Sequence, residues 1–308
     1  MNITLRQLSY FIALAETRHF GRAAAAVHVT QPALSTQIRE LEDRLGAELV
    51  DRSDRAFRLT PAGQEVLASA RRIMAEVDRL HAATRWETGL HGRLKLGVIP
   101  TVAPYLLPEA LPRLRARDVT LDLRLREAQT EVLLAELADG KLDAAVIALP
   151  SGVPGLVERP LFEDRFLLAG LADQVMAMRL TGDVPRPADL NPANLLLLDE
   201  GHCLADQALE VCGMQRSATR VDLGASSLRT LCGLVAAGFG KTLLPELAYA
   251  TEAPGTPGMG VIRFAEPEPI RVIGMVRRNL GGPDGWFTEL GDLLADAGAA
   301  CVAQARAV

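Results

Sequence analysis

One long amphipathic segment constrains how this chain of 308 residues can fold. Thr60 suits an N-cap and Pro61 the first helical position, so a helix is predicted from Thr60 to about Glu87. Its apolar residues recur at roughly the a and d positions of a heptad and form a narrow stripe. They are Val66, Leu67, Ala70, Ile73, Met74, Val77 and Leu80, followed by His81. Such a stripe has to be buried, either on the core of its own domain or against a separate partner.

The two sides of this segment follow different patterns. Residues 1–60 carry apolar residues at helical spacing, whereas the chain beyond Gly89 to Gly92 alternates between strands and helices. That alternation predicts a parallel sheet with ligand-facing loops at the carboxyl ends of its strands. The predicted elements are Leu94 to Ile99, a helix from about Tyr105, Val119 to Leu125, a helix opening at Thr130, Leu142 to Leu149, a second unit over 166–265, Val272 to Val276, and a helix from Trp286 to about Ala297.

The composition limits the classes of function. No stretch approaches the roughly 18–20 uninterrupted apolar residues of a membrane span, and Arg6 and Glu16 interrupt any apolar run resembling a signal peptide. Four cysteines without the spacing of a disulfide framework are typical of a cytoplasmic protein. The net charge is −5, and residues 1–90 hold 12 arginines against 11 acidic residues, so any affinity for DNA depends on where the arginines lie.

A helix-turn-helix is indicated within residues 1–60. A short alanine helix after Gly21, a break near His28 and a helix opening at Thr30 follow one another. Thr30 can cap the second helix, and Pro32 falls in the first turn, where its missing N–H is not needed. An ordinary helical hairpin with a solvated face would show the same pattern. The polar outer face, whose glutamine, serine and threonine side chains suit contacts with base edges, consists of Gln31, Ser35, Thr36, Arg39 and Glu40.

A small hairpin is predicted directly after this helix. Residues 47–52 and 55–60 alternate between apolar and polar side chains, with Ser53-Asp54 at the turn. Three arginines in seven residues, Arg52, Arg55 and Arg58, either contact phosphates from this hairpin or are solvated surface charges.

Taken together, these residues resemble the winged helix-turn-helix of LysR-type transcriptional regulators. The resemblance rests on Phe11, Ala23-Ala24, Thr30 to Ser35, Ile38, Leu41-Glu42, Leu45-Gly46, Leu49, Arg52 and Leu59 to Gly63. It implies contacts with double-stranded promoter DNA. The implied DNA-binding residues are Arg22, Thr30, Gln31, Pro32, Ser35, Thr36, Arg39, Arg52 and Arg55.

The same resemblance implies the domain organisation. An all-α winged helix-turn-helix would cover 1–60, and a linker helix that dimerises, followed by a hinge, would cover 61–90. A redox-sensing α/β regulatory domain would cover 91–308, built of two periplasmic-binding-protein-like subdomains. These would comprise 91–165 with 267–308, and 166–266.

Two cysteines, Cys203 and Cys212, lie nine positions apart on what is predicted to be a short helix after Gly201. On one regular helix they would stand about 13.5 Å apart along the axis and on opposite faces. A disulfide needs Cα atoms within about 7 Å, so the pair can bond only if the segment refolds. Near a helix N-terminus Cys203 is the better nucleophile, although Asp206 opposes its ionisation. Alternatively, both cysteines are small buried apolar residues; the spacing is not that of a zinc site.

The regulatory half resembles the OxyR subfamily, the hydrogen-peroxide-sensing branch of the LysR family. The resemblance rests on Gly97 to Pro108, Glu127 to Thr130, Gly201-His202-Cys203, Asp206 to Ala208, Cys212, Ser227-Leu228 and Val235 to Pro245. It implies that Cys203 is the peroxidatic thiol and Cys212 the resolving thiol. The implied peroxide pocket is Thr101, Thr130, His202, Asp206 and Arg271.

Within this pocket Arg271 could pair with Asp206. The two threonines could also be helix N-caps, a role that is compatible with lining the pocket. Cys232 and Cys301 match nothing in the subfamily; Cys232 is predicted to be buried and Cys301 exposed. The expected protein is a cytoplasmic activator of oxidative-stress genes rather than an enzyme, without cofactor or metal. Its partners would be DNA, hydrogen peroxide, RNA polymerase, a dithiol reductant and further copies of itself, as dimer and tetramer.

Two other hypotheses remain at this stage. A LysR-type regulator that binds a small organic effector in its cleft would still respond to that effector after substitution of Cys203 by serine. A thiol peroxidase or disulfide enzyme would have no need of residues 1–88, and sustained consumption of peroxide would reveal it.

Overall fold

The computed structural model describes residues 3–51, 57–83, 90, 92–199, 203–213, 225–279 and 284–306. Contacts between residues separate an N-terminal unit, mostly helical, from a C-terminal unit that holds the larger sheet. None of the helices in the described ranges is long and apolar enough to cross a membrane.

Where the structure describes it, the N-terminal unit contains four helices and a two-stranded hairpin. Its core is formed by α1 and α3, whose apolar positions recur at helical spacing and lose all solvent exposure at Phe11, Leu14, Leu34, Ile38 and Leu41. The apolar residues that recur at helical spacing in α1 and α3 are therefore buried in one common core. The elements are α1 (Leu5–Thr17), α2 (Phe20–Ala26), α3 (Gln31–Leu45), β1 (Val50–Asp51), β2 (Arg58–Leu59) and α4 (Pro61–Ala83).

The entry into α3 follows the predicted capping. The Thr30 side chain accepts a hydrogen bond from the backbone N–H of Ala33, and Pro32 lies in the first turn. Before it, His28 adopts a left-handed conformation with φ 55°, which makes the turn between α2 and α3 tight. At the other end Gly46 has φ 69°, a conformation that favours glycine, and ends α3.

A buried carboxylate holds the hairpin to α3. Glu42 Oε1 accepts hydrogen bonds from the backbone N–H groups of Leu49, at 2.9 Å, and Val50, at 3.2 Å. Thr60 caps α4 by accepting from the N–H of Gly63 at 2.9 Å. A Cβ on Gly63 would lie 2.1 Å from the carbonyl oxygen of Leu49, so the close approach of α4 to the hairpin requires glycine here.

The apolar seam of α4 divides between two environments. One part packs on the core of the N-terminal unit, which is the first of the two alternatives given for this helix. Ile73, in contrast, is 45% exposed. The predicted end of the helix near Glu87 lies outside the described residues. The seam residues that pack on the core are Val66, Leu67, Ala70 and Met74.

The C-terminal unit alternates strands and helices before it becomes more irregular. Its second strand begins at Asp122 rather than at Val119, which is 71% exposed in a turn where Asp118 accepts a hydrogen bond from the N–H of Thr120. The elements are β3 (Arg93–Val98), α5 (Ala103–Arg117), β4 (Asp122–Glu127), α6 (Thr130–Ala138), β5 (Ala144–Leu149), β6 (Leu156–Leu171), α7 (Ala172–Thr181), α8 (Cys203–Val211), α9 (Leu228–Ala236), β7 (Thr242–Pro245), α10 (Glu246–Glu252), β8 (Met259–Arg263), β9 (Ile270–Arg278) and α11 (Gly285–Ala305).

The sheet of this unit is mixed. Strands β4, β3 and β5 are parallel neighbours, as the strand–helix alternation predicts. The prediction of a parallel sheet is wrong for the remaining strands, because β9 lies antiparallel to β5 and β6, and β7 and β8 lie antiparallel to β6. Between β5 and β6 the chain runs through a turn with glycines at positive φ rather than a helix, so no parallel crossover forms there.

Strand β6 runs through two parts of the unit. Its first half pairs with β9 as far as Arg165, opposite Ile270, and its second half pairs with β7 from Phe166, opposite Pro245. Phe166 and the following apolar residues are buried in a core shared with α8, α9 and α11. One continuous strand therefore connects the two groups of strands, which positions residues around 164–166 at their junction.

Candidate functional site

The helix α3 presents a polar, largely exposed face at its N-terminal half. Gln31, Pro32, Thr36 and Arg39 are exposed, and Ser35 is half-buried. The hydroxyl group of Thr36 makes a hydrogen bond within the helix, because it donates to the carbonyl oxygen of Pro32 at 3.0 Å. Polar side chains on the exposed face of the second helix of a helix-turn-helix are those that reach base edges in a major groove.

Other predicted DNA-binding residues lie around this face. Thr30 serves as the N-cap of α3, and Arg22 is exposed on α2, where its guanidinium donates to the carbonyl oxygen of Thr17 at 3.0 Å. In the hairpin Arg58 is exposed, whereas Arg52 and Arg55 lie outside the described residues. The hairpin itself forms with the pairing of Asp51 to Arg58, which fits a wing beside α3.

The two central cysteines lie at opposite ends of one helix. Cys203 is the first residue of α8 and is half-buried, and Cys212 follows its last residue and is buried. The backbone N–H of Cys212 still bonds to the carbonyl oxygen of Ala208 at 3.1 Å, so the helical spacing extends through both. Both thiols are free. Nine residues of helix place them about 13.5 Å apart along the axis, which is too far for a disulfide.

The four thiols differ in their environment. Burial raises the pKa of Cys212 to about 11 and the pKa of Cys232 to about 12, and it also raises the pKa of Cys301. Cys232 is fully buried, as predicted. Cys301 is half-buried rather than exposed, because its thiol packs beneath α5 and donates to the carbonyl oxygen of Tyr105 at 3.5 Å. Cys203 alone combines partial exposure with the first position of a helix.

A buried cluster surrounds Arg271 of β9. Its Nε and Nη2 lie 2.9 Å and 2.7 Å from Oδ2 of Asp164, and its Nη1 donates to the hydroxyl oxygen of Thr101 at 3.1 Å. The expected pairing of Arg271 with Asp206 is therefore wrong. Asp164 and Arg271 are directly opposite each other on β6 and β9, so the strand register supplies the partner. Asp206 is instead exposed in the first turn of α8.

The two predicted threonines lie at the same edge of the sheet. Thr101 follows β3 and Thr130 follows β4, and the ends of these parallel strands pair at Val98 and Glu127. Neither acts as a helix N-cap. Val102 is the N-cap of α5 and the Thr101 hydroxyl accepts from Arg271, while Thr130 is already the first residue of α6. The hydroxyl of Thr130 is buried and has no hydrogen-bond partner among the described residues. An enclosed hydroxyl of this kind is suited to a small polar ligand.

The structure thus brings Thr101 and Arg271 into contact and leaves Thr130 at the same sheet edge. Cys203 and Asp206 share the first turn of α8, and His202 lies outside the described residues. Asp164 was missed by sequence reasoning. A buried arginine requires a counter-ion, but the sequence does not identify which acidic residue supplies it without the pairing of β6 with β9.

No group of three or more His, Cys, Asp or Glu side chains within the described ranges is arranged to hold a metal ion.

Two family models match the chain in the order of its two units. Residues 5–64 match the bacterial regulatory helix-turn-helix protein, lysR family, and residues 87–297 match the LysR substrate binding domain. These are the two parts of a LysR-type transcription regulator.

The similarity to individual proteins is more specific. The chain is 44% identical to the DNA-binding transcriptional dual regulator OxyR of Escherichia coli K12, over 90% of each chain. A cysteine-to-aspartate variant of full-length OxyR from Pseudomonas aeruginosa is 34% identical with a TM-score of 0.75, over 98% of this chain and 96% of that chain. A peroxide-bound cysteine-to-serine variant of OxyR from Corynebacterium glutamicum is 35% identical with a TM-score of 0.67, over 100% and 96%. The chain therefore belongs to the LysR family of transcription regulators, within its OxyR subfamily, which confirms the resemblance seen in the sequence.

Proposed function

We propose that this chain activates oxidative-stress genes in response to hydrogen peroxide, and that the Cys203–Cys212 pair is its switch. The observation that carries the proposal is the placement of two free thiols at the two ends of α8. A disulfide between them requires the helix to unwind, so oxidation and a change of fold become one event. The peroxide-bound relative from Corynebacterium glutamicum supports the choice of oxidant.

The chemistry proceeds in two steps. The thiolate of Cys203 attacks one oxygen of peroxide, the O–O bond breaks, and the other oxygen leaves as hydroxide, which takes up a proton to form water. Cys203 is then a sulfenic acid. The thiolate of Cys212 attacks its sulfur, the S–O bond breaks, and the oxygen leaves as hydroxide, which takes up a proton to form a second water. One peroxide has then been reduced and two thiols oxidised. A cellular dithiol resets the pair by exchange.

The unwinding of α8 would change packing well beyond the thiols. Leu204, Ala208 and Cys212 belong to the large core that also contains α9 and α11. A disulfide draws residue 212 towards residue 203 and cannot leave all three in their places. We infer that this repacking changes the surfaces through which regulatory domains associate, and with them the placement of paired DNA-binding domains on their half-sites.

The proposal includes the assembly and the partners. Residues 1–60 would bind promoter DNA, residues 61–90 would dimerise and connect, and residues 91–308 would sense peroxide, in a dimer or tetramer that contacts RNA polymerase in the cytoplasm. The exposure of Ile73, on a seam whose Val66, Leu67, Ala70 and Met74 pack on the N-terminal core, supports pairing of this helix with a second copy.

The DNA contacts are proposed at the exposed face of α3 and the hairpin. We expect Gln31→Ala to alter the preference for particular base pairs, because an amide side chain reads base edges. We expect Arg39→Ala to weaken binding to all sequences and to reduce its salt dependence if this arginine contacts phosphate. Binding to a set of operator variants at several salt concentrations separates the two effects.

The switch is tested by counting thiols and mapping them by mass after one equivalent of peroxide. Wild type is expected to lose two thiols and to form the Cys203–Cys212 disulfide, whereas Cys203→Ser keeps all of its thiols. Cys212→Ser should stop at a sulfenic acid that dimedone traps. Cys301→Ser is the matched control and should behave as wild type. If peroxide leaves Cys203 and Cys212 free in wild type, the proposal is wrong, and an organic effector in the cleft becomes the hypothesis to test.

A further inference from the structure

The buried ion pair of Asp164 with Arg271 connects several segments of the regulatory unit. Asp164 is 0% and Arg271 3% exposed. Oδ2 of the carboxylate receives Nε and Nη2 of the arginine, and Oδ1 accepts the backbone N–H of Leu247 at 2.9 Å. Both carboxylate oxygens are therefore engaged, which fixes the plane and the direction of the guanidinium.

From this fixed position Arg271 reaches the segment after β3. Its Nη1 donates to the hydroxyl oxygen of Thr101 at 3.1 Å, and its Nη2 donates to the carbonyl oxygen of the same residue at 3.3 Å. Two contacts from one rigid fork determine both the backbone and the side chain of Thr101. An arginine held only by its own flexible chain could not do so.

The direction of the proton follows from the chemistry of the donor. A guanidinium has N–H donors and no acceptor, so the Thr101 hydroxyl must accept in this contact. Its own hydrogen then points away from Arg271 and is available to another acceptor. The hydroxyl of Thr130, by contrast, has no partner among the described residues that would fix its direction.

We propose that Asp164 is a positioning residue for the reaction of Cys203 with peroxide: it holds Arg271 so that the Thr101 hydroxyl is presented as a hydrogen-bond donor to the bound peroxide. This rests on the proposed function, including the placement of peroxide beside Thr101 that the resemblance to the OxyR subfamily implies. Negative charge develops on the leaving oxygen as the O–O bond breaks, and a donor already aimed at that oxygen stabilises it. The hydroxyl donates a hydrogen bond and keeps its proton, so the balance of the two-step oxidation is unchanged.

The test is a double-substitution cycle with Asp164→Asn and Thr101→Val. Asp164→Asn keeps the shape of the side chain and removes the charge that fixes Arg271. We expect it to slow the formation of the Cys203 sulfenic acid by peroxide about tenfold, in line with the loss of alignment of a transition-state donor. In the Thr101→Val background the same substitution should change the rate less than twofold, because the group that it positions is gone.

A second readout separates positioning from a general structural role. Alkylation of Cys203 by iodoacetamide needs an accessible thiolate but no hydrogen bond to a leaving oxygen, so its rate should change less than twofold in Asp164→Asn. If alkylation falls as far as peroxide oxidation, or if Asp164→Asn slows oxidation equally in both Thr101 backgrounds, the proposal is overturned.

Removal of a buried charge can also prevent folding, so a second variant is included. Arg271→Lys keeps a cation beside Asp164 but cannot bridge Asp164 and Thr101. It should slow peroxide oxidation only in chains that retain Thr101, and an unchanged rate would overturn the proposal. Failure of wild-type Cys203 to react with peroxide would instead contradict the proposed function, so the two failures are distinguishable.

Discussion

Helices α8 and α9 each have nine residues, border the same core and carry cysteine, yet their thiols differ. Cys232 is the fifth residue of α9, is fully buried, and has a pKa raised to about 12 by burial with a further contribution from Glu252. Cys203 is the first residue of α8 and half-buried, with Cys212 just beyond the other end. Burial within the core therefore suppresses the ionisation of Cys232, whereas the half-buried Cys203 at the start of α8 is open to reagents.

The largest consequence of this comparison is in alkylation. A pKa of about 12 leaves only about one Cys232 thiol in 10⁴ ionised at pH 8, and this thiol is shielded from solvent as well. We expect iodoacetamide to modify Cys203 at least about 10³-fold faster than Cys232 in the native chain, measured by mass mapping over time. In denaturant both should react at similar rates, and comparable native rates would contradict the comparison.

The second consequence is a pH dependence that reports the state of α8 during resolution. In the intact helix the pKa of Cys212 is about 11, so attack from that position would speed up tenfold per pH unit up to about pH 11. If the helix unwinds first, the pKa returns to about 8.5. We expect the conversion of sulfenic acid to disulfide to speed up on the order of tenfold or more from pH 6.5 to 8.5 and then to level off.

Stopped-flow loss of the sulfenic acid in a Cys232→Ala chain would measure this step without interference from the α9 thiol. A rate that continues to climb beyond pH 9.5 would show that Cys212 attacks from its buried position, and the coupling of oxidation to unwinding would be lost.

A third prediction concerns the stability of α8 itself. Glu210 is exposed near the end of this helix, so Glu210→Gly and Glu210→Ala both remove its charge but differ by about 1 kcal/mol in helix propensity. We expect the glycine variant to form the Cys203–Cys212 disulfide about fivefold faster than the alanine variant once the sulfenic acid is present. Equal rates would mean that unwinding does not limit the second step.

How far the sequence predicts these features depends on whether they are local. Thr30 as a cap, the helix-turn-helix around it, and the placement of two cysteines at the ends of one helix follow from spacing within a few residues. The same reasoning predicted that these thiols could not bond without refolding. It also identified β3, β4 and β5 as strands, with the bounds of β4 displaced by three residues at its start.

The features that the sequence did not supply depend on pairing between distant residues. The antiparallel arrangement of β9 between β5 and β6 joins segments over a hundred residues apart, and the partnership of Asp164 with Arg271 exists only in that register. Asp206, which is close to Cys203 along the chain, was the plausible partner for Arg271 from sequence alone. Burial distinguishes the two acidic residues, because a buried arginine needs a buried carboxylate, and Asp164 is buried whereas Asp206 is exposed.

The smallest expected effect tests whether α9 is a purely structural counterpart of α8. Gly233 is exposed in the middle of α9 at a helical conformation, and a Cβ added there would meet no atom within 4 Å. Gly233→Ala should therefore raise the free energy of unfolding by about 0.5–1 kcal/mol, as measured by urea denaturation of the reduced protein. Because α9 is not proposed to unwind, the rates of sulfenic acid and disulfide formation should stay within twofold of wild type. A slower disulfide step in this variant would mean that α9 also unwinds when the disulfide forms. The two helices would then differ only in how much they unwind.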